Sequence, residues 1–324
     1  MTSLKHLLVS IFIISSLSLT APVAAQVGKP ISVVATFSII GDMVKRVGGD
    51  AVKLTTLVGP GGDAHVYQPT PADAASLSKA DVLIMNGLDF EGWMKRLIRA
   101  SESKAVTTIA TQGVLPLKAD EHEDEDGGHD KHDKHDDKKS DDHAGHDHGA
   151  FDPHAWQSIQ NAIIYVDNIT NALAKAAPVK ATYFYKNRAK YVSELRALEA
   201  QIRKLIETIP PEKRTVVTSH DAFGYFAETY GLSFVAPQGL STESEASAQE
   251  VANLIEQIRK EKISAVFIET ITDNRLLKQI ASETGASIGG TIFSDALSPA
   301  AGPASTYLKM MRHNAMTIAK ALGS

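Results

Sequence analysis

Histidine and the carboxylates are the residue types whose placement in this chain points to chemistry. Seven of its twelve histidines crowd into one run, "HEDEDGGHDKHDKHDDKKSDDHAGHDHG", at His122, His129, His132, His135, His143, His146 and His148. Imidazole nitrogen and carboxylate oxygen both ligate divalent metals. Apart from His6 near the N-terminus, the remaining four are His65, His154, His220 and His313. His65 lies in "VGPGGDAHVYQPTP", His154 in "FDPHAW" and His220 in "VVTSHDAFGYF". Each of these stands where a strand should give way to a loop, or where a helix should begin after one. In open α/β sheets ligands bind beyond the carboxyl ends of strands, so the three can meet in one cleft. Asp295 in "GGTIFSDALS" occupies an equivalent place, and Glu269, ending "AVFIET", is a further candidate. His313, within the helical stretch "LKMMRHNAM", reads as a packing or surface residue. Three imidazoles with one carboxylate suit tetrahedral Zn²⁺. The absence of cysteine argues against Cu(I), and no oxygen-only cage for Ca²⁺ or Mg²⁺ is evident.

The elements that must carry these residues alternate. Ile31–Ala35, Val52–Val58, Val82–Met85 and Val106–Ile109 are short apolar runs of the kind buried strands make. Helical spacing separates them at Ile39–Val47, Pro71–Lys79 and Glu91–Arg99. A helix is predicted from His154 or Ala155 to about Lys175, then a longer one from Pro178 that stops at Pro210-Pro211. Alternation resumes with strands at Thr215–Thr218, Ser233–Val235, Ala265–Glu269 and Ala286–Gly289. Helices are predicted there at Ala222–Tyr230, Ala248–Lys260, Asn274–Thr284 and Pro303–Ala321. The expected fold is α/β: two Rossmann-like lobes with parallel sheets, joined by one long rigid helix. The expected organisation is a signal peptide over 1–25, a first lobe over 26–175, a linking helix over 176–209 and a second lobe over 210–324.

Lys5 and His6 precede an apolar run from Leu7 to Leu19, with small residues before Gln26, the layout of a cleavable secretory signal. With no cysteine to carry a lipid, the expected location is free in the periplasm. Between Ala119 and Gly149, thirteen acidic residues face four lysines, a charge of −9 that leaves +4 for the rest of the chain. The body therefore has no basic stripe of the kind nucleic-acid binding needs. Residues 118–150 lack apolar periodicity and are predicted to form a disordered His/Asp/Glu-rich insert. Mobile ligands order at an entropic cost, so this insert is expected to act as an auxiliary, weak metal collector.

Seven segments together resemble one family: "TFSIIGDMVKRVGGD", "GPGGDAHVYQPTPAD", "DPHAW", "TSHDAFGYF", "FIET", "ETGASIGGTIFSDALS" and "GPASTYLKMMRHN". It is that of the zinc- and manganese-binding solute receptors of bacterial ABC importers, the ZnuA-like or TroA-like proteins. The resemblance implies His65, His154, His220 and Asp295 as metal ligands, two from each lobe, with Glu269 nearby orienting an imidazole. It implies zinc over manganese, because manganese receptors usually carry Glu where this chain has His220. Ala64 stands where some zinc relatives have Glu, so no ligand is carried over there. The implied function is capture of Zn²⁺ and delivery to a membrane permease with its cytoplasmic ATPase, by a monomer. A periplasmic metallochaperone is a further candidate partner. The alternatives are a manganese receptor, a periplasmic zinc buffer or metallochaperone, and a secreted zinc hydrolase. No HExxH pair supports the last, and no enzymatic activity is expected.

Overall fold

The computed structural model describes residues 29–119 and 150–323. The first half builds β1 (Ile31–Phe37), α1 (Ser38–Gly48), β2 (Val52–Val58), α2 (Pro71–Leu77), β3 (Val82–Met85), α3 (Met94–Ser101) and β4 (Val106–Ile109). The strands pair in parallel in the order β2-β1-β3-β4, with Val33 opposite both Leu54 and Val82. β1 reads ISVVATF and is apolar nearly throughout, because a central parallel strand is covered on both faces. α4 (Ile159–Ala176) and α5 (Ala181–Glu207) follow, and α5 at 27 residues spans about 40 Å.

The second half repeats the pattern with β5 (Thr215–Val217), α6 (Gly224–Tyr230), β6 (Ser233–Val235), α7 (Ala248–Glu261), β7 (Ala265–Glu269), α8 (Arg275–Thr284), β8 (Ser287–Ile292) and α9 (Tyr307–Leu322). Its sheet order, β6-β5-β7-β8, is the first sheet's order repeated. The two-lobed α/β fold expected from the sequence, with its long helix, is therefore present. Among the described residues no helix is long and apolar enough to cross a membrane.

One buried cluster runs from the first sheet through α4 and α5 into α9 and one side of the second sheet. It includes Ile40, Trp156, Leu195, Phe267 and Tyr307. A smaller cluster around Leu254, Ile258, Val266 and Ile280 packs α7 and α8 against the second sheet. The lobes are thus joined by shared core as well as by α5.

Several predicted helices start later than their apolar spacing indicates: the one expected from Ala222 begins at Gly224, the one from Pro178 at Ala181 after a 3₁₀ turn, and the one from Pro303 at Tyr307, and two more lie beside the candidate site. The Glu91–Arg99 pattern becomes helical only at Met94. Leu88 and Asp89 adopt left-handed φ of 53° and 57°, and Glu91 turns inward to accept the N–H groups of Asn86 and Gly87 at 2.7 and 3.2 Å. The helix expected from His154 is a single 3₁₀ turn over Ala155–Gln157, and α4 begins after an extended Ser158. Tertiary bonds hold that turn: Trp156 Nε1 and Gln157 Nε2 both donate to the Ser294 carbonyl, at 3.0 and 2.8 Å.

Candidate metal centre

Three of the candidate ligands follow the end of a strand, and the fourth, His154, immediately precedes a helical turn. The loop after β2 carries His65, the stretch before the 3₁₀ turn His154, the segment between β5 and α6 His220, and the loop after β8 Asp295. The structure brings these four together, with ligand atoms all within 4.8 Å of one another and all four side chains buried. Asp295 Oδ2 lies 3.1 Å from both His65 Nε2 and His220 Nε2. His154 Nε2 is 3.4 Å from His65 Nε2 and 3.6 Å from Asp295 Oδ1. All three rings therefore present Nε2 inward.

The opposite nitrogens and the backbones are held from behind. Asp152 Oδ1 lies 2.7 Å from His154 Nδ1 and accepts the His154 N–H at 2.8 Å. Glu269 Oε2 stands 2.8 Å from His220 Nδ1, while its Oε1 accepts the N–H groups of Ser219 and His220 at 2.7 and 3.0 Å. Glu269 accordingly sits behind His220 and outside the inner cluster. A carboxylate on Nδ1 selects the tautomer that leaves Nε2 free as a donor to metal. Phe90 closes the apolar side, its ring 4.6 Å from that of His65 and 5.9 Å from that of His154.

Electrostatics in this pocket are strongly mutual. Burial works to lower the pKa of His154, but the Asp295 carboxylate and the bond to Asp152 outweigh it and carry it to about 9. His220 is likewise opposed by burial and raised well above the ordinary imidazole range by Glu269 and Asp295. Burial would raise Asp295, yet His154 and His220 hold it well below the ordinary carboxylate range. His65 is lowered, because burial exceeds the pull of Asp295. An ionised carboxylate so deeply buried needs a cation beside it. Asp295 Oδ1 has no hydrogen-bond donor, so one acceptor within the cluster remains open.

Several residues that serve this cluster escaped the sequence reading. Asp63 Oδ1 accepts the His65 N–H at 2.9 Å, as Asp152 does for His154. The signal was present as a repeated Asp-x-His, "DAH" and "DPH", in which an Asp side chain folds back onto the backbone two residues on. Trp93 Nε1 donates to the Ala64 carbonyl at 2.7 Å, and Asn86 Nδ2 to that of Pro153 at 2.9 Å. No spacing rule links those pairs. His313 stands apart on α9, 2.9 Å from the Thr291 carbonyl and against the Phe293 ring. The signal peptide and the insert histidines His122, His129, His132, His135, His143, His146 and His148 lie outside the described residues. Lys118 and Phe151, which flank the insert, pair as an antiparallel bridge.

A buried His₃Asp cluster between two parallel-sheet lobes defines a metal-binding receptor fold. The chain belongs to the family described as the periplasmic component A of the zinc-uptake complex, whose model matches residues 33–321. It is 33% identical to the iron-binding protein YfeA of Yersinia pestis, over 98% of this chain and 95% of that one. It is 35% identical to the manganese-binding lipoprotein MntA of Bacillus subtilis, over 90% of each. Its fold is similar to that of the periplasmic zinc-binding protein TroA of Treponema pallidum, with a TM-score of 0.79 and 31% identity. That likeness covers 91% of this chain and 99% of the other. The family's members are substrate-binding receptors of ABC transporters for divalent metals.

These relatives correct one expectation. The absence of cysteine points to a protein free in the periplasm with no lipid anchor, yet the relative MntA is a named lipoprotein. Membership of this family is thus compatible with a lipid anchor, and the fold carries no information about anchoring. A location outside the cytoplasm is what the family supports.

Proposed function

We propose that the chain is a high-affinity Zn²⁺ receptor that holds the ion on His65, His154, His220 and Asp295 and delivers it to the permease of an ABC importer. The observation that carries this reading is the donor spacing. A tetrahedral ion with bonds near 2.0–2.1 Å has ligands about 3.3 Å apart. Four of the separations in the cluster run from 3.1 to 3.6 Å, and all four ligand atoms lie within 4.8 Å of one another, a spacing that a small inward shift brings to that value. Two donors lie in the first half of the chain and two in the second, so a bound ion would tie the lobes together. Four protein donors leave no position for an activated water, which speaks against zinc hydrolysis.

A manganese receptor is the second reading. YfeA and MntA carry iron and manganese in their names, and the undonated Oδ1 of Asp295 would add an oxygen ligand. Three imidazoles favour zinc over these on softness and on the Irving–Williams order. Competition decides: with one equivalent of Zn²⁺ bound, a hundredfold excess of Mn²⁺ should displace little of it. Displacement at near-equal concentrations would sink the zinc reading. For delivery, a strain lacking the gene should grow poorly in zinc-depleted medium, rescued by the wild-type chain and not by His154→Ala. We further propose that the insert gathers metal for this centre. Removing residues 120–149 should then slow loading from dilute zinc and leave equilibrium affinity intact.

A further inference from the structure

The two first-lobe ligands share a local device. In Asp63-Ala64-His65 and in Asp152-Pro153-His154 the Asp carboxylate accepts the N–H of the histidine two residues on, at 2.9 and 2.8 Å. Each turn is also touched from the second lobe by one hydroxyl. Thr242, in the loop between β6 and α7, donates its Oγ1 to Asp63 Oδ2 at 2.6 Å. Tyr225, at the start of α6, donates its OH to the Asp152 carbonyl at 3.0 Å. The same Tyr225 oxygen accepts the Leu117 N–H at 3.0 Å, so it contacts the segments on both sides of the insert. Beside it, Gly224 leaves room for the Asp152 carboxylate, whose Oδ2 would lie 2.7 Å from a Cβ placed there.

We propose that Thr242 and Tyr225 are positioning residues for metal retention, latching the second lobe onto the two Asp-x-His turns that aim His65 and His154. This rests on the reading of those histidines as ligands. The chemistry is simple. Both hydroxyls come from the lobe that supplies His220 and Asp295, so both bonds exist only while the lobes are seated together. A separation of about 1 Å takes a 2.6–3.0 Å bond beyond useful length. The turns then lose a restraint at the same moment as the ligand set opens. Retention, rather than capture, is the step these bonds control, because the incoming ion meets the open form.

The test measures Zn²⁺ release into excess chelator by stopped flow, and the visible absorption of the Co²⁺-loaded protein, for Tyr225→Phe, Thr242→Val and Gly224→Ala. Each variant should release zinc about tenfold faster, the worth of one lost hydrogen bond. Association should stay within about threefold. The Co²⁺ bands per bound ion should shift or weaken, since they report ligand geometry and not the amount of folded protein. Tyr230→Phe is the control: it lies on the same helix, but its OH bonds Glu199 and the Ile159 backbone and touches neither Asp-x-His turn. It should match the wild type in release and spectrum. Wild-type release in Tyr225→Phe and Thr242→Val overturns the positioning role, as does equal acceleration in Tyr230→Phe. If Tyr225→Phe fails to fold, Thr242→Val and Gly224→Ala carry the decision. If the wild-type protein binds no Co²⁺ in a four-coordinate site, the metal-centre reading itself falls, and the positioning role with it.

Discussion

At the scale of single residues, the centre is an arrangement of charge that metal and protons compete to complete. In the metal-free protein the ionised Asp295 is balanced by His154, held near 9, and by His220, raised well above the ordinary range. Both imidazoles therefore carry a proton at neutral pH, and a metal ion must displace it from each Nε2 it binds. Zinc binding at pH 7 should release at least one proton, read by calorimetry in buffers of different ionisation enthalpy. Heat independent of the buffer would contradict this. Apparent affinity should fall as pH falls. The linked stability runs the other way. A raised folded-state pKa stabilises fully below the unfolded value near 6.5 and is lost as pH climbs through about 9. The melting temperature of the metal-free protein should thus decline between those limits, while that of the zinc-loaded protein does not. Glu269 supplies a second prediction here. Glu269→Ala strips the acceptor from two backbone N–H groups and the partner from His220 Nδ1. Zinc affinity should drop by about 10–100-fold, measured by chelator competition.

At the scale of elements, the question is what holds Asp295 in place at the end of an edge strand. β8 lies at the border of its sheet and contains Gly289, packed against the Phe267 ring, and Gly290 at φ 140°. Such a strand end needs outside support, and α9 provides it. Asn314 Oδ1 accepts the Phe293 N–H at 3.0 Å, and its Nδ2 donates to the Phe293 carbonyl at 2.7 Å. One residue further, the Ser294 carbonyl takes the two donors from Trp156 and Gln157. Asn314→Ala leaves both Phe293 groups buried without partners, which should cost about 2–4 kcal/mol in urea unfolding of the metal-free protein. It should also weaken zinc binding by loosening the Asp295 loop; unchanged affinity would show that Trp156 and Gln157 suffice. Little of this support was legible in the sequence. Strand positions such as Val52–Val58, Val82–Met85 and Ala265–Glu269 could be read directly, because apolar runs bounded by turn residues signal buried strands. The four cluster residues were legible because residue type coincided with placement, at a strand end for His65, His220 and Asp295 and at a helix start for His154. The anchors were not. Asn314, Trp156 and Gln157 act through backbone groups 21 to 138 residues away, and backbone carbonyls leave no mark in a sequence.

At the scale of the whole molecule, the shared core and the long helix limit how far the lobes can move. Trp156 and Tyr307 belong to the same buried cluster, and the Tyr307 OH donates to the Trp156 carbonyl, so α9 is joined to the loop that carries His154. Ser38 Oγ accepts the Leu297 N–H at 2.9 Å, and the Gly61 N–H donates to the Leu297 carbonyl at 2.9 Å. Wide hinge opening would break these bonds and expose apolar core together, whereas a tilt of α6 and its neighbouring loops breaks only the polar contacts at the mouth. Metal release should therefore proceed with small displacement. Small-angle scattering of metal-free and zinc-loaded protein should show radii of gyration within about 1 Å of each other. A difference of several ångströms would restore the wide-hinge mechanism. Binding should nonetheless register strongly in stability, because the ion bridges both halves and has no comparable site in the unfolded body. At a free zinc concentration a thousandfold above Kd, linkage adds about 4 kcal/mol, which for a chain of this size raises the melting temperature by on the order of 10 °C. His154→Ala should abolish most of that rise, which differential scanning calorimetry can measure directly.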